Sequence, residues 1–219
     1  MIANSLSAAH EKLIAALNPA LRALALRGVF RSYKKNSVII NEGEMGDSIF
    51  VLLEGGVKVF STDQNGREIT YGDIQAGDYF GELSLDGGPR SASVMTQEPS
   101  VCSVVSRVAV RDHLAEEPEF ALDLVAQVIR RARTATETAR NMALLDVYGR
   151  VIATLEGHEG PARPGAPIFL TQITHQSIAS RVGASREMVS RLLKDLEKGG
   201  YIELGVKRIT LLKKLPARW

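Results

Sequence analysis

The sequence predicts an α+β protein in three consecutive parts: a β domain of sandwich or barrel type, one long helix, and a helical domain ending in a short β pair. Three observations carry this. Short apolar runs broken by Gly-containing turns fill residues 29–110. A stretch without Gly or Pro follows from 119 to about 145, with apolar residues in steps of three and four. Beyond it, two amphipathic helical stretches flank a lone glycine at position 183.

In the first part, residues 37–40, 48–53, 57–61 and 101–105 are rich in Val, Ile and Phe, and Gly-containing turns at Gly43, Gly46, Gly55, Gly72, Gly77 and Gly87 separate such runs. Asn65–Gly66 between two strand-like runs is a hairpin signal, because both residues tolerate positive φ. Many short strands at close spacing imply a sandwich or barrel.

In the long helix, Ala121, Val125, Val128, Ala132, Ala135, Ala139 and Met142 form an a/d heptad seam. Its small residues let two helices approach closely. A lone helix of this length needs a partner along such a seam, so pairing between two parallel chains is expected; docking on the chain's own β domain is the alternative. Asp146 or a neighbour is placed to cap the next helix, near Val147, which puts a hinge there.

Residues 174–199 read THQSIASRVGASREMVSRLLKDLEKG. Thr174 can cap a short helix whose inner face is Ile178, Ala179 and Val182; Gly183 suits a turn needing positive φ; Ser185 can cap a second helix. That second helix buries Val189, Leu192, Leu193 and Leu196 and presents Arg186, Glu187, Ser190, Arg191 and Lys194. This is a helix-turn-helix pattern. Arginine can bond guanine O6 and N7 together and a carboxylate can accept from cytosine N4, so this face can read a G/C-containing site. Residues 201–212 (YIELGVKRITLL) resemble a two-stranded wing with Lys207 and Arg208 near its tip. The bland alternative is an amphipathic surface helix with solvated charges.

Charge supports the nucleic-acid reading. The chain's net charge is +2, but residues 168–219 hold ten Lys/Arg against four acids, leaving the preceding part net acidic. The single cysteine, Cys102, excludes an internal disulfide and an all-cysteine iron–sulfur or zinc site; it reads as a buried, inert thiol. The four histidines, His10, His113, His158 and His175, lack metal-ligand spacing and are expected at the surface or partly satisfied. No apolar run is long enough to span a bilayer and the N-terminus lacks a secretory pattern, so a cytoplasmic location is expected. No nucleophile–base or metal constellation is evident, which argues against an enzyme.

Over nearly its whole length the chain resembles the catabolite activator (cyclic AMP receptor) family of bacterial transcription regulators, within the CRP/FNR superfamily. SREMVSRLLKDLE resembles that family's recognition helix and NMALLDVYGR its hinge. The resemblance implies a homodimer bound to double-stranded DNA, with Arg186, Glu187 and Arg191 reading TGTGA-like half-sites. FGELSLDGGPRSASV resembles the phosphate-binding cassette of cyclic-nucleotide-binding domains, in which Gly81, Glu82, Leu83, Arg90, Ser91 and Ala92 hold the matching positions. By that resemblance Arg90 pairs with a cyclic phosphate, Ser91 donates to it and Glu82 accepts from a ribose hydroxyl.

Two features depart from the family. The segment between Glu82 and Arg90 is short, and the family's adenine-contacting Thr–Ser pair aligns with Ala135–Thr136, where only Thr136 has a hydroxyl. Cyclic AMP is the first effector expected; cyclic di-GMP, to which some relatives with altered pockets respond, is the second, and Arg130, Arg131 and Arg133 could serve an extra phosphate. The expected layout is a jelly-roll-like cyclic-nucleotide-binding β-roll over 1–118, a dimerisation helix and hinge over 119–146, and a winged helix-turn-helix over 147–219. The Gly/Pro loop at 157–167 is a candidate contact for RNA polymerase. A constitutive regulator whose β domain binds no nucleotide, and an enzyme under nucleotide control, are the competing readings.

Overall fold

The computed structural model describes residues 8–157, 168–171 and 173–216, and its helices and strands divide between a mixed N-terminal unit and a mainly helical C-terminal one. The boundary leaves Met1–Ser61 and Tyr71–Arg131 in one unit, and Thr62–Thr70 with Ala132–Trp219 in the other.

The N-terminal unit begins with α1 (Ala8–Ala15) and α2 (Pro19–Ala25), followed by β1 (Val29–Tyr33), β2 (Val38–Ile40), β3 (Ser48–Glu54), β4 (Gly56–Thr62), β5 (Glu68–Gln75) and β6 (Tyr79–Phe80). A single 3₁₀ turn, Glu82–Ser84, precedes β7 (Ser93–Thr96), β8 (Ser100–Ser106) and α3 (Arg107–Glu116). The strands form two four-stranded sheets, ordered β1-β8-β3-β6 and β2-β7-β4-β5.

Strand β3 explains the layering. Ile49, Val51 and Leu53 join one buried cluster with Ile14, Leu21, Leu24 and Phe120, while Phe50 and Leu52 join another with Ile40, Val57, Phe80 and Val94. One sheet therefore carries helices on one face and packs its second apolar cluster on the other, so β3 lacks the usual polar alternation. Cys102 lies fully buried in the second cluster, and burial pushes its thiol pKa up to about 12, which makes it inert.

The β pattern read from 29 to 110 ends earlier than expected. From Arg107 the chain is helical, with Ser106 accepting from the Ala109 amide as the cap. Helices α1 and α2 escape the sequence reading altogether; Asn18, which accepts from the Leu21 amide, and Pro19 start α2.

The long helix α4 spans Pro118–Leu144. Phe120, Leu124, Gln127 and Arg131 face its own β unit: Phe120 and Leu124 enter the apolar cluster, Gln127 donates to Asp78 (2.5 Å) and Arg131 to the Tyr79 carbonyl (2.6 Å). The other stripe is uncovered in the single chain, with Leu122, Val125, Val128 and Ile129 all exposed. The heptad seam and the docking face are thus two sides of one helix.

In the C-terminal unit, α5 (Val147–Glu156), α6 (His175–Val182) and α7 (Arg186–Lys198) pack with a small sheet of β9 (Ile168–Thr171), β10 (Ile202–Gly205) and β11 (Arg208–Leu211), ordered β10-β11-β9. Val151, Leu155, Ile178, Val189, Leu193, Leu196, Ile202 and Ile209 form the shared core. Strand β9 has no counterpart in the sequence reading. Residues 158–167, most of the expected polymerase-contacting loop, lie outside the described residues, as do His158 and residue 172.

Of the two places expected for the histidines, at the surface or partly satisfied, His113 rules out the first for itself. It is completely buried between α2 and α4, its ring 5.0 Å from that of Phe120. Near the Ala20 backbone, neither ring nitrogen reaches hydrogen-bond geometry with a partner among the described residues. Burial, reinforced by the Arg27 charge, holds its pKa below the ordinary 6.5. The folded protein therefore keeps a neutral ring that can take a proton once unfolded. Stability from this site is complete above that value and falls as pH drops through 6.5 toward the lower folded value. Denaturant titration of the N-terminal unit between about pH 7.5 and about pH 5 should show this loss, with a shallower slope in His113→Leu. Identical slopes in both proteins would assign the acid sensitivity elsewhere.

Candidate ligand cassette and nucleic-acid interface

The cassette is built around two buried charges. Gly81 enters the 3₁₀ turn at φ +86°, a left-handed conformation that favours glycine, and a Cβ there would lie 2.7 Å from Arg90 Nη1. Beneath this turn Arg90 is buried: Nη1 donates to the Gly81 carbonyl (2.7 Å) and Ser84 Oγ (2.7 Å), and Nη2 to the Ser48 carbonyl (2.9 Å). Its guanidinium lies 5.8 Å from the centre of the Phe50 ring. Burial lowers its pKa, opposed by Asp47 and Glu82. Arg90 thus braces the turn from within.

Glu82 is the second buried charge, its side chain 2% exposed. Arg131 of α4 brings Nη1 to 2.5 Å from Glu82 Oε1. This is a close ion pair outside hydrogen-bond geometry, since neither carboxylate oxygen has a hydrogen-bond partner among the described residues. Buried carboxylate oxygens are costly to leave unsatisfied, and they can accept from a ligand hydroxyl. Among the other cassette residues, Leu83 and Ser91 are exposed and Ala92 is half-buried. Thr136 is exposed on α4 and donates its hydroxyl to the Ala132 carbonyl (2.9 Å), leaving its lone pairs as acceptors.

Arg131 is the residue that sequence reasoning undervalues. The sequence groups it with Arg130 and Arg133 as helper charges, yet it reaches Tyr79, Asp78 and Glu82 together. Its place in the series Phe120, Leu124, Gln127, Arg131, with successive steps of four, three and four along the docking face, is the available signal.

The helix-turn-helix is set by its caps. Thr174 accepts from the Ser177 amide, whose side chain in turn accepts from the Thr174 amide, a reciprocal capping box. Gly183 ends α6 at φ +64°, and Ser185 accepts from the Met188 amide to start α7. Ile178, Ala179 and Val182 of α6 and Val189, Leu193 and Leu196 of α7 are buried, while Leu192 is half-buried. Arg186, Glu187, Arg191 and Lys194 are exposed on the opposite face. Ser190 is half-buried there, because His175 Nδ1 lies 2.8 Å from its Oγ. At the start of α7, backbone and Ser185 hydrogen bonds hold the Glu187 carboxyl below its ordinary pKa, so it is a ready acceptor.

The wing is anchored to α7 by Glu197, which accepts from the Leu204 amide (2.9 Å). A cavity of about 360 Å³ opens between the start of α6, the start of α7 and the wing, and its charged lining is Arg186, Lys207 and Arg208 beside His175. Behind the turn, Arg150 of α5 donates to the Val182 and Leu145 carbonyls (2.9 and 2.7 Å), and Asp146 accepts from the Gly149 amide as the expected cap.

Gly46 tests how tightly Arg90 is held. A Cβ at Gly46 would lie 2.0 Å from Arg90 Nε, whereas one at Gly72 meets nothing within 4 Å. Gly46→Ala should therefore cost about 1–3 kcal/mol of stability, and Gly72→Ala far less, by thermal denaturation. Equal effects would show that Arg90 relaxes freely.

Known proteins share both halves of this architecture. Residues 30–117 match the cyclic nucleotide-binding domain family, and residues 149–215 the Crp-like helix-turn-helix domain family. The chain is 32% identical over 185 residues to the cAMP-activated global transcriptional regulator CRP of Pasteurella multocida, covering 82% of this chain and 88% of that one. It is 32% identical over 190 residues to the cAMP-activated regulator Vfr of Pseudomonas aeruginosa, covering 83% and 88%. Among solved structures, the c-di-GMP-responsive regulator CLP of Xanthomonas campestris superposes with a TM-score of 0.77 at 22% identity, over 89% of this chain and 98% of that one, a likeness of fold. A CRP/FNR-family regulator of Thermus thermophilus does so with a TM-score of 0.67 at 26% identity, over 84% and 94%. With a β domain, long helix and winged helix-turn-helix in the same order, and a third of its residues shared along most of its length, the chain belongs to the CRP/FNR family of DNA-binding transcription regulators.

Proposed function

We propose that this chain acts as a homodimer that binds DNA through α7 and the wing under control of a cyclic nucleotide, cyclic AMP in the first place, held at Gly81, Glu82, Leu83, Arg90, Ser91 and Ala92. The observation that carries the ligand assignment is Glu82: a buried carboxylate ion-paired to Arg131 through Oε1, with no hydrogen bond to either oxygen among the described residues, suits a ribose hydroxyl that donates to it. The uncovered apolar stripe of α4 supports pairing with a second copy. On α7, exposed Arg186, Glu187, Arg191 and Lys194 lie on one face with Ser190, and the caps Thr174 and Ser185 aim the two helix starts.

Cyclic di-GMP is the second reading. Ala135 offers no side-chain hydrogen bond to a base, so on this side an adenine amino group is left the Thr136 hydroxyl oxygen as its acceptor, the hydroxyl proton being donated within the helix. RNA polymerase and the loop at 157–167 complete the proposed partner set.

Calorimetric titration with cyclic AMP, cyclic GMP and cyclic di-GMP tests the ligand. One nucleotide should bind, and Glu82→Gln should weaken it by about tenfold or more, the scale of one charged hydrogen bond. Full binding by the variant would remove Glu82 from the site, and no binding of any nucleotide would favour a constitutive regulator.

On the DNA side, Arg186→Ala and Arg191→Ala should each cost about 1–3 kcal/mol on a specific site and relax base preference. Lys207→Ala should instead weaken specific and random DNA alike and lower the salt slope by about one. Uniform losses from the arginine variants would assign them to the phosphate backbone.

A further inference from the structure

The reading face of α7 contains one residue whose chemistry is undecided by itself. Ser190 can either donate to a base acceptor or accept from a base amino group, so a free serine discriminates little between base pairs. Here it is not free: it is half-buried against His175, the first residue of α6, with Nδ1 2.8 Å from Oγ. The Thr174–Ser177 capping box fixes the backbone on which His175 sits.

We propose that His175 is a positioning residue for DNA reading, whose protonation decides whether Ser190 offers the major groove a donor or an acceptor. This rests on α7 being the recognition helix. When the imidazole is protonated, Nδ1 must donate to Oγ, and the serine proton is free for a base acceptor such as guanine O6 or N7 or thymine O4. When it is neutral with its proton on Nε2, Nδ1 accepts the serine proton. Oγ then presents only lone pairs, suited to the amino group of adenine or cytosine.

The charged groups around His175 place this change within reach. Arg186 and Lys194 approach from α7 and oppose protonation, Glu197 on the same helix favours it, and Lys207 and Arg208 of the wing line the same cavity. In the free protein, burial, then Arg186, then Lys194 hold the histidine below its ordinary pKa, so the neutral ring prevails at neutral pH. Phosphates arriving at these cations offset their repulsion and raise the pKa in the complex. With the neutral ring in its Nε2-protonated tautomer, lower pH therefore favours base acceptors opposite Ser190, and higher pH favours base donors.

The test is binding of the full chain, with its effector, to single-base-pair variants of its preferred half-site and to random DNA, at about pH 6 and about pH 8. In the wild type, the preference at one position should shift by about threefold or more between the two conditions while the other positions hold. His175→Gln, which keeps a hydrogen-bonding group that does not titrate, should retain specific binding with a pH-invariant preference at that position. Ser190→Ala should lose the preference there at both pH values. A wild-type preference that ignores pH, or the same pH shift in His175→Gln, overturns the proposal. Failure of the wild type to distinguish its site from random DNA overturns the recognition-helix reading itself.

Discussion

A guanidinium and a carboxylate taken out of water constrain the β unit more than any other contact. Arg90 and Glu82 are both buried, Arg90 over the ring of Phe50 and Glu82 against Arg131. A charge in such surroundings must be surrounded by partners, because desolvation costs several kcal/mol per ion. Arg90 meets that demand with the Ser48 and Gly81 carbonyls and Ser84 Oγ, and in doing so fixes β3, the entry to the 3₁₀ turn and the loop at Gly46. Glu82 meets it only in part, with one ion pair to Arg131 and no hydrogen bond among the described residues. The turn is therefore held rigidly on its arginine side and left incomplete on its carboxylate side.

That asymmetry has a structural consequence in α4. Arg131 closes the docking face that begins with Phe120, so the place where the long helix meets the cassette is electrostatic while its start is apolar. Apolar contacts tolerate small shifts, whereas an ion pair between buried and half-buried groups depends steeply on distance and on what else approaches the carboxylate. A hydroxyl donating to Glu82 alters the environment of Arg131 directly. The opposite stripe of α4, exposed at Leu122, Val125 and Ile129, belongs to the same rigid helix.

Much of this is legible in the sequence where local chemistry dictates structure. Asp146, Thr174 and Ser185 each cap a helix because a short oxygen-bearing side chain satisfies an otherwise orphaned amide, and Gly183 turns where φ must be positive. The order of β domain, long helix and winged helix-turn-helix follows from periodicity. Helix α3 is hidden because Val108, Ala109 and Val110 extend the Val-rich run of β8 with a break of only two polar residues, and only the Ser106 cap reveals the change. Strand β9 is hidden because a four-residue strand beside a Gly/Pro loop has too few residues to show a period. The partners of Glu82 and Ser190 come from α4 and α6, and such pairings depend on tertiary packing that spacing alone does not encode.

Under the proposed function, the two ends of the chain use the same device for different purposes. An effector can shift a DNA-binding equilibrium only by as much as it prefers one state over the other, typically about 1–3 kcal/mol, or about 5–150-fold. Differences of that size do not require remodelling of a core. They are available from one buried carboxylate gaining a donor, or from one serine changing the direction of its hydrogen bond. In the β unit the adjustable group is Glu82, half satisfied by Arg131; in the DNA-reading unit it is Ser190, half buried against His175. In both, rigid neighbours (the Arg90 brace and the Thr174 capping box) keep the backbone fixed while one polar side chain is left with unfilled capacity. Under the proposed function, a binding event at either place needs only a change in hydrogen bonding at one side chain, which keeps the energetic cost of responding small and the response specific to the group that is recognised.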